Sequence, residues 1–123
     1  MENSILTSVK TVLGLAPEYT AFDEDITMHI NSIFSDLTQI GVGPIDGFMI
    51  EDASAGWDEY ITDDVPPNQL HSVRSLVFLR VRLLFDPPQT SYLISSFERQ
   101  IEKFEWRLNV SREEAIHPIE EFM

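Results

Sequence analysis

The sequence contains no cysteine, and only 8 of its 123 residues are lysine or arginine, against 21 acidic residues. The lack of cysteine excludes disulfides, thiol nucleophiles and cysteine-ligated zinc, and it is typical of a cytosolic protein. The net charge of −13 argues against binding nucleic acid through its phosphates, because such binding needs a surplus of basic residues. It also argues against attachment to anionic membrane surfaces.

Long apolar runs are missing as well, although 43% of the residues are hydrophobic. The first twenty residues lack the basic start and apolar stretch of a signal peptide, and no stretch is long enough to cross a bilayer. We therefore expect no membrane partner. The length and the hydrophobic content fit one domain with a core of its own.

The charge is distributed unevenly along the chain. Residues 1–66 contain thirteen acidic residues and a single basic one, Lys10, whereas residues 67–123 contain eight acids and seven bases. This asymmetry predicts two surfaces with different roles.

The spacing of apolar residues predicts an all-α fold, a compact bundle of about four helices. Capping residues and prolines set the expected helix ends, with Ser4, Asp23 and Ser91 as N-caps. The expected helices run from Ser4 to about Leu15, from Asp23 to Ile40, from Pro66 to Phe85 and from Ser91 to about Asn109.

A long acidic loop is expected between the second and third helices, over residues 42–65 (here called the acidic segment). Within it, Phe48–Met49–Ile50 is a possible short strand and Trp57–Ile61 a possible helical turn. A loop of this length inside a compact domain is usually functional or partly disordered. It contains no base and seven acids, Asp46, Glu51, Asp52, Asp58, Glu59, Asp63 and Asp64.

Signals for catalysis or metal binding are weak. The three histidines are scattered, and none lies in a metal-binding motif. Asp58–Glu59 or Asp63–Asp64 would supply a carboxylate pair for acid–base chemistry, but nothing in the sequence indicates the burial that shifts a catalytic pKa. We therefore expect no cofactor and no enzymatic activity.

Four residues of the second half are candidates for a subunit interface. Three arginines of the third helix do not share one stripe, so each is expected to meet a carboxylate within the chain or on a neighbouring copy. An aromatic residue outside the main stripe of the fourth helix suits a subunit contact. The four residues are Arg74, Arg80, Arg82 and Trp106.

Three stretches together resemble the head–tail connector proteins of tailed bacteriophages, also called adaptor or head-completion proteins. They are FDEDITMHINSIFSDLTQIGVGP at 22–44, VRLLFDPP at 81–88 and FERQIEKFEWRLNV at 97–110, and SAGWDEYI at 54–61 is also typical. The resemblance implies a homo-oligomeric ring, usually a dodecamer, beneath the portal in the neck of the virion. Such a ring extends the DNA channel without binding DNA specifically and docks a stopper or tail-completion protein, after assembly in the host cytoplasm.

The resemblance divides the chain into a connector domain, residues 1–110, and a C-terminal tail, residues 111–123. Part of the acidic segment, or the acidic face of the second helix, is expected to border the channel, because acidic side chains do not hold phosphates. The acidic segment is also a candidate docking surface. The tail is the candidate portal contact through Ile116, Ile119 and Phe122. The charge alone equally fits an acidic inhibitor that mimics DNA, and a small hydrolase with paired acids is a weaker alternative.

Overall fold

The described part of the chain contains five α-helices and one 3-10 turn, joined by loops. A computed structural model describes residues 3–62, 65 and 67–116, and the side chains of these residues as far as position 110. The elements are α1 (Ile5–Val12), α2 (Asp23–Gln39), α3 (Trp57–Tyr60), a 3-10 turn (Pro67–Gln69), α4 (Leu70–Phe85) and α5 (Ser91–Ile116). No strand occurs within these described ranges, and the predicted all-α fold is confirmed.

Helix α4 is the central element, because it packs against α1, α2 and α5. Its apolar residues cover more than one face, which predicts burial on several sides. Val73, Leu76, Val77 and Val81 are buried accordingly.

The predicted stripe of α2 is buried from Ile26 through Leu37, whereas Ile40 follows the helix and is exposed. Gly41 then takes a positive φ of 84°, as expected of the residue that ends a helix.

The N-terminal caps are correctly predicted for α1 only. The Ser4 hydroxyl accepts a hydrogen bond from the Thr7 amide at 3.2 Å. Asp23 is the first residue of α2 and not its cap, and the residue before it makes no side-chain capping bond. At α5 the expected cap Ser91 is wrong as well, because the hydroxyl of Thr90 accepts from the Leu93 amide at 3.3 Å.

A buried ion pair explains why Asp23 does not cap its helix. Its carboxylate lies 2.8 Å from the ammonium group of Lys10. Lys10 is only 2% exposed, and it also donates to the carbonyl of Pro17 at 2.9 Å. The single basic residue of the acidic half is therefore fully used in joining α1, the following loop and α2.

Helix α5 is longer than expected. It continues through residue 110 to Ile116, where the sequence predicts an end near Asn109. With 26 residues it is about 39 Å long at 1.5 Å per residue, against about 24 Å for the 16 residues of α4. Because one short connection joins the two helices, the last turns of α5 extend beyond the start of α4.

No helix in the described part of the chain is long and apolar enough to span a membrane.

Candidate functional site

The acidic segment is fixed to the helical body by an asparagine on α2. The side-chain amide of Asn31 donates to the carbonyl of Ile50 at 2.9 Å and accepts from its amide at 2.8 Å. These two bonds satisfy the backbone of Ile50 with no neighbouring strand. The strand predicted at Phe48–Ile50 is therefore wrong, and this stretch is an irregular segment held on α2.

The segment is also attached to the N-terminal residues. Ser4 and Gly56 form an isolated antiparallel bridge, with the Ile5 amide bonded to the Ala55 carbonyl at 3.1 Å and the Trp57 amide to the Asn3 carbonyl at 2.8 Å. The predicted helical turn follows directly as α3. The N-terminus thus determines where the acidic side chains of residues 51–59 are presented.

Three acids of the segment have local structural roles. Asp58 accepts from the side chain of Asn3 at 3.0 Å, and Glu59 accepts from the amide of Gly56 at 2.6 Å and so caps α3. Asp52 accepts from both the hydroxyl and the amide of Ser54. These bonds, the hydroxyl first, hold the pKa of the Asp52 carboxyl below its usual value.

The remaining candidate acids divide into two groups. Asp46 and Glu51 are exposed on the segment's surface. Asp63 and Asp64 lie outside the described residues. The acidic surface is therefore presented by a fixed scaffold over residues 46–59, and the two remaining positions stay predictions.

An aromatic cluster underlies the segment. The ring of Phe34 on α2 lies between 5.2 and 6.2 Å from the rings of Phe48, Trp57 and Tyr60. The indole of Trp57 donates to the Ser8 hydroxyl at 2.9 Å. A Cβ at Gly43 would collide with the Tyr60 hydroxyl, and the φ of Gly43 is +97°, so this close passage of the chain requires glycine.

A groove of about 700 Å³ runs between the outer side of α2 and residues 46–49. Its exposed apolar residues are Met28, at 62% exposure, and Met49, at 72%. The rest of its lining is mostly polar and consists of Asn31, Ser32, Ser35, Thr38, Gln39, Asp46, Gly47 and Phe48. This groove is not predictable from the sequence. Met28 lies outside the buried stripe of α2, and the irregular loop has no periodicity that would show which of its side chains face α2.

Two of the three arginines proposed for an interface have carboxylate partners within the chain. Arg80 on α4 is 2.8 Å from Asp36 on α2, and Arg82 is 3.8 Å from Asp86 at the end of its own helix. Arg74 instead lies over aromatic rings, with its guanidinium carbon 5.4 Å from the centre of Trp57 and 5.8 Å from that of Phe78. Each arginine thus has a role within the subunit, and an intersubunit role for them stays a prediction.

Trp106 differs from the arginines because its side chain is 66% exposed. It lies on the side of α5 away from Leu108, which is buried. Of the three residues proposed for the portal contact, Ile116 is the last residue of α5, whereas Ile119 and Phe122 lie outside the described residues.

Of the two suggested carboxylate pairs, Asp63–Asp64 lies outside the described residues, and the geometry assembles no catalytic centre from Asp58 and Glu59. Asp58 and Glu59 point to separate partners, as described above, and both are exposed. Within residues 3–62, 65 and 67–116, no group of three or more potential ligands is arranged to hold a metal ion.

Comparison with known proteins gives one match. The model of a family described as phage connector protein matches residues 5–115, a range that contains α1 to α4 and all but the last residue of α5. No curated protein and no solved structure matches the chain.

Proposed function

Because this chain belongs to the phage connector protein family, we propose that it is a structural protein of the virion neck. In this role, copies of the chain form a ring beneath the portal at the capsid vertex. The ring extends the DNA channel and offers a docking surface to a stopper or tail-completion protein.

The extent of the family match carries the proposal. It covers residues 5–115 and therefore the helical body as a whole, not one local motif. A connector needs a rigid body with more than one contact surface, and α4 provides the rigid centre by packing against three other helices. The acidic segment and α5 are then two separate outer surfaces.

The acidic segment suits the channel wall or a docking face. Basic side chains on a channel wall would hold DNA phosphates by releasing their counterions, and the segment contains none. Glu51, Asp52, Asp58 and Glu59 are exposed on a scaffold that the Asn31 amide and the N-terminal residues hold in place. DNA would pass such a surface without being retained.

The C-terminal tail, residues 111–123, is the proposed portal contact. Helix α5 is ten residues longer than α4 and reaches Ile116, so the tail begins within the last turns of this helix. Apolar residues at such an end, Ile116, Ile119 and Phe122, suit insertion into a groove of another protein.

Reconstitution with the portal protein encoded in the same genome tests two of these proposals, the ring beneath the portal and the portal contact of the C-terminal tail. Electron microscopy of the mixture is expected to show a ring of this chain under the portal. A variant that lacks residues 111–123 keeps the buried Leu108 and is expected to fold, as judged by its circular dichroism, but to lose portal binding. Normal binding by the truncated chain would refute the role of the tail.

The control for the whole proposal is the portal ring without this chain. Failure of the full-length chain to bind any portal assembly would refute the connector role. Tight binding to a host or phage DNA-binding protein, in competition with DNA, would instead support the DNA-mimic alternative.

A further inference from the structure

The outer face of α5 combines basic and aromatic residues. At about 100° per residue, five of its side chains lie within about 60° of one line along the helix. All five are exposed: Tyr92, Arg99, Lys103, Trp106 and Arg107. The acids of this helix, Glu98, Glu102 and Glu105, lie to one side of that line, so the face itself is basic.

The bases on this face form a ladder of like charges. Arg99, Lys103 and Arg107 follow one another at intervals of four residues, an arrangement that destabilises a helix. None of the ion pairs within the described residues involves them, and the guanidinium carbon of Arg107 lies 5.6 Å from the centre of the Phe104 ring. The half-buried Arg80 and Arg82 of α4, by contrast, have carboxylate partners.

The groove on α2 has the complementary character. Asp46 lines it, and Asp25 lies exposed on α2 one helical turn before the groove residue Met28. The exposed thioethers of Met28 and Met49 are favourable neighbours for an aromatic ring such as that of Trp106. The only base of the acidic half, Lys10, is buried and does not neutralise this surface.

We propose that the outer face of α5 on one copy docks into the α2 groove of the next copy. The face and the groove cannot meet within one chain, because α5 packs on α4 through its opposite side, where Leu108 is buried. A contact between two different surfaces of identical subunits propagates in one direction and closes into a ring when the rotation allows. The inference rests on the proposed ring and specifies the two surfaces that build it.

Charge decides between a second copy and nucleic acid as the occupant of the α5 face. Three bases on a molecule of net charge −13 give little attraction to a polyanion at long range. The acidic groove of another copy carries few charges, matches the ladder locally and also accepts Trp106. An aromatic side chain in a desolvated pocket is a common anchor of protein interfaces.

Cysteine cross-linking tests the contact directly, since the chain has no cysteine of its own. Ser96→Cys places a thiol on the outer face of α5, and Ser35→Cys places one in the groove. Under mild oxidation, a mixture of the two variants is expected to form the mixed disulfide at least tenfold faster than either variant forms a homodimer. Thr11→Cys, an exposed position on α1, replaces one partner as the control.

The outcomes separate the contact from the ring. Mixed disulfides in rings assembled on portal confirm the proposed surfaces. Rings that assemble but cross-link no faster than the Thr11→Cys control would overturn the surfaces and leave the connector role standing. Preferential Ser96→Cys homodimers would show that two α5 faces meet instead, and they would also overturn the proposal.

A charge swap provides the second measurement. Arg99→Glu with Lys103→Glu is expected to weaken ring assembly at least tenfold, and Asp25→Lys with Asp46→Lys in the same chain is expected to restore it. Circular dichroism verifies that the variants fold. If the swap does not restore assembly, the proposed contact is refuted. If the wild type binds duplex DNA and Arg99→Glu with Lys103→Glu abolishes that binding, nucleic acid and not a second copy occupies the α5 face.

Discussion

Tyr60 is buried against Phe34 and Phe48, and its hydroxyl has no hydrogen-bond partner among the described residues. A buried hydroxyl without a partner costs free energy, because folding removes its water. Burial also raises the pKa of the Tyr60 phenol above its ordinary value, since the phenolate is the form that burial disfavours.

Replacing Tyr60 by Phe should therefore leave the protein at least as stable at neutral pH, and its advantage over the wild type should grow at alkaline pH. The raised pKa of Tyr60 in the folded state means that the unfolded chain ionises first, from about pH 10. The stability that the neutral phenol contributes is complete below that pH and is lost as the pH rises further. Urea unfolding at pH 8 and at pH 11 measures the difference.

Tyr19→Phe is the matched control, because Tyr19 is an exposed phenol. It should leave the alkaline loss of stability unchanged. If the wild type and Tyr60→Phe lose stability equally between pH 8 and pH 11, the buried phenol is not the cause.

Contacts between side chains that are far apart in the sequence could not be predicted from it. The bonds from Asn31 to Ile50 and from Arg80 to Asp36 join residues 19 and 44 positions apart. No periodicity relates such positions, because the contact exists only after the helices have packed. The burial of Lys10 could not be predicted for the same reason, since a single lysine in an acidic region is normally expected at the surface.

At the scale of the elements, α1 and α2 are joined by the buried pair of Lys10 and Asp23. A buried charge that loses its partner is costly, and the cost is smaller for a charge that stays partly exposed to water. The Lys10 side chain is 3% exposed and the Asp23 side chain 30%. The two single substitutions of this pair should therefore have unequal effects.

Asp23→Asn should destabilise the protein by about 3 kcal/mol, the lower end for a broken buried pair because the Asp23 side chain is 30% exposed. Lys10→Met should cost about 1 kcal/mol, since the Asp23 carboxylate left behind is 30% exposed and methionine keeps the packing. Denaturant unfolding measures both values. Asp36→Asn, which breaks the more exposed pair with Arg80, should cost about 0.5 kcal/mol, and equal costs for all three variants would contradict the argument.

The helices themselves were predictable, because their buried residues repeat at the period of the helix. The stripe from Ile26 to Leu37 gave the position of α2, and the apolar surface of α4 indicated its central place. The errors occur where local patterns compete with tertiary contacts. The apolar stretch 48–50 resembles a strand but is held by the Asn31 side chain. The residues after Asn109 are mostly polar and do not continue the apolar stripe, although α5 continues through them.

At the scale of the whole molecule, the first 66 residues provide nearly all of the net negative charge. If the acidic segment borders the channel, reversing its charge should hold DNA. Asp63→Lys with Asp64→Lys in assembled virions is expected to slow DNA ejection, because each lysine gains a phosphate contact and releases counterions.

Glu98→Lys with Glu102→Lys changes the net charge by the same amount on α5 and is the matched control. Ejection rates of the two variants, compared at several salt concentrations, provide the measurement. Unchanged ejection by the variant of the acidic segment, in virions that contain the protein, would exclude the segment from the channel wall.

The separation of charge along the chain has a consequence for how the molecule moves. With a basic ladder on α5 and acids on the segment and on α2, each copy is an electric dipole as well as an anion. The field of any charged body exerts a torque on such a molecule and turns it before contact. A copy that diffuses toward an acidic surface arrives with α5 leading, so its orientation is partly selected before the first collision.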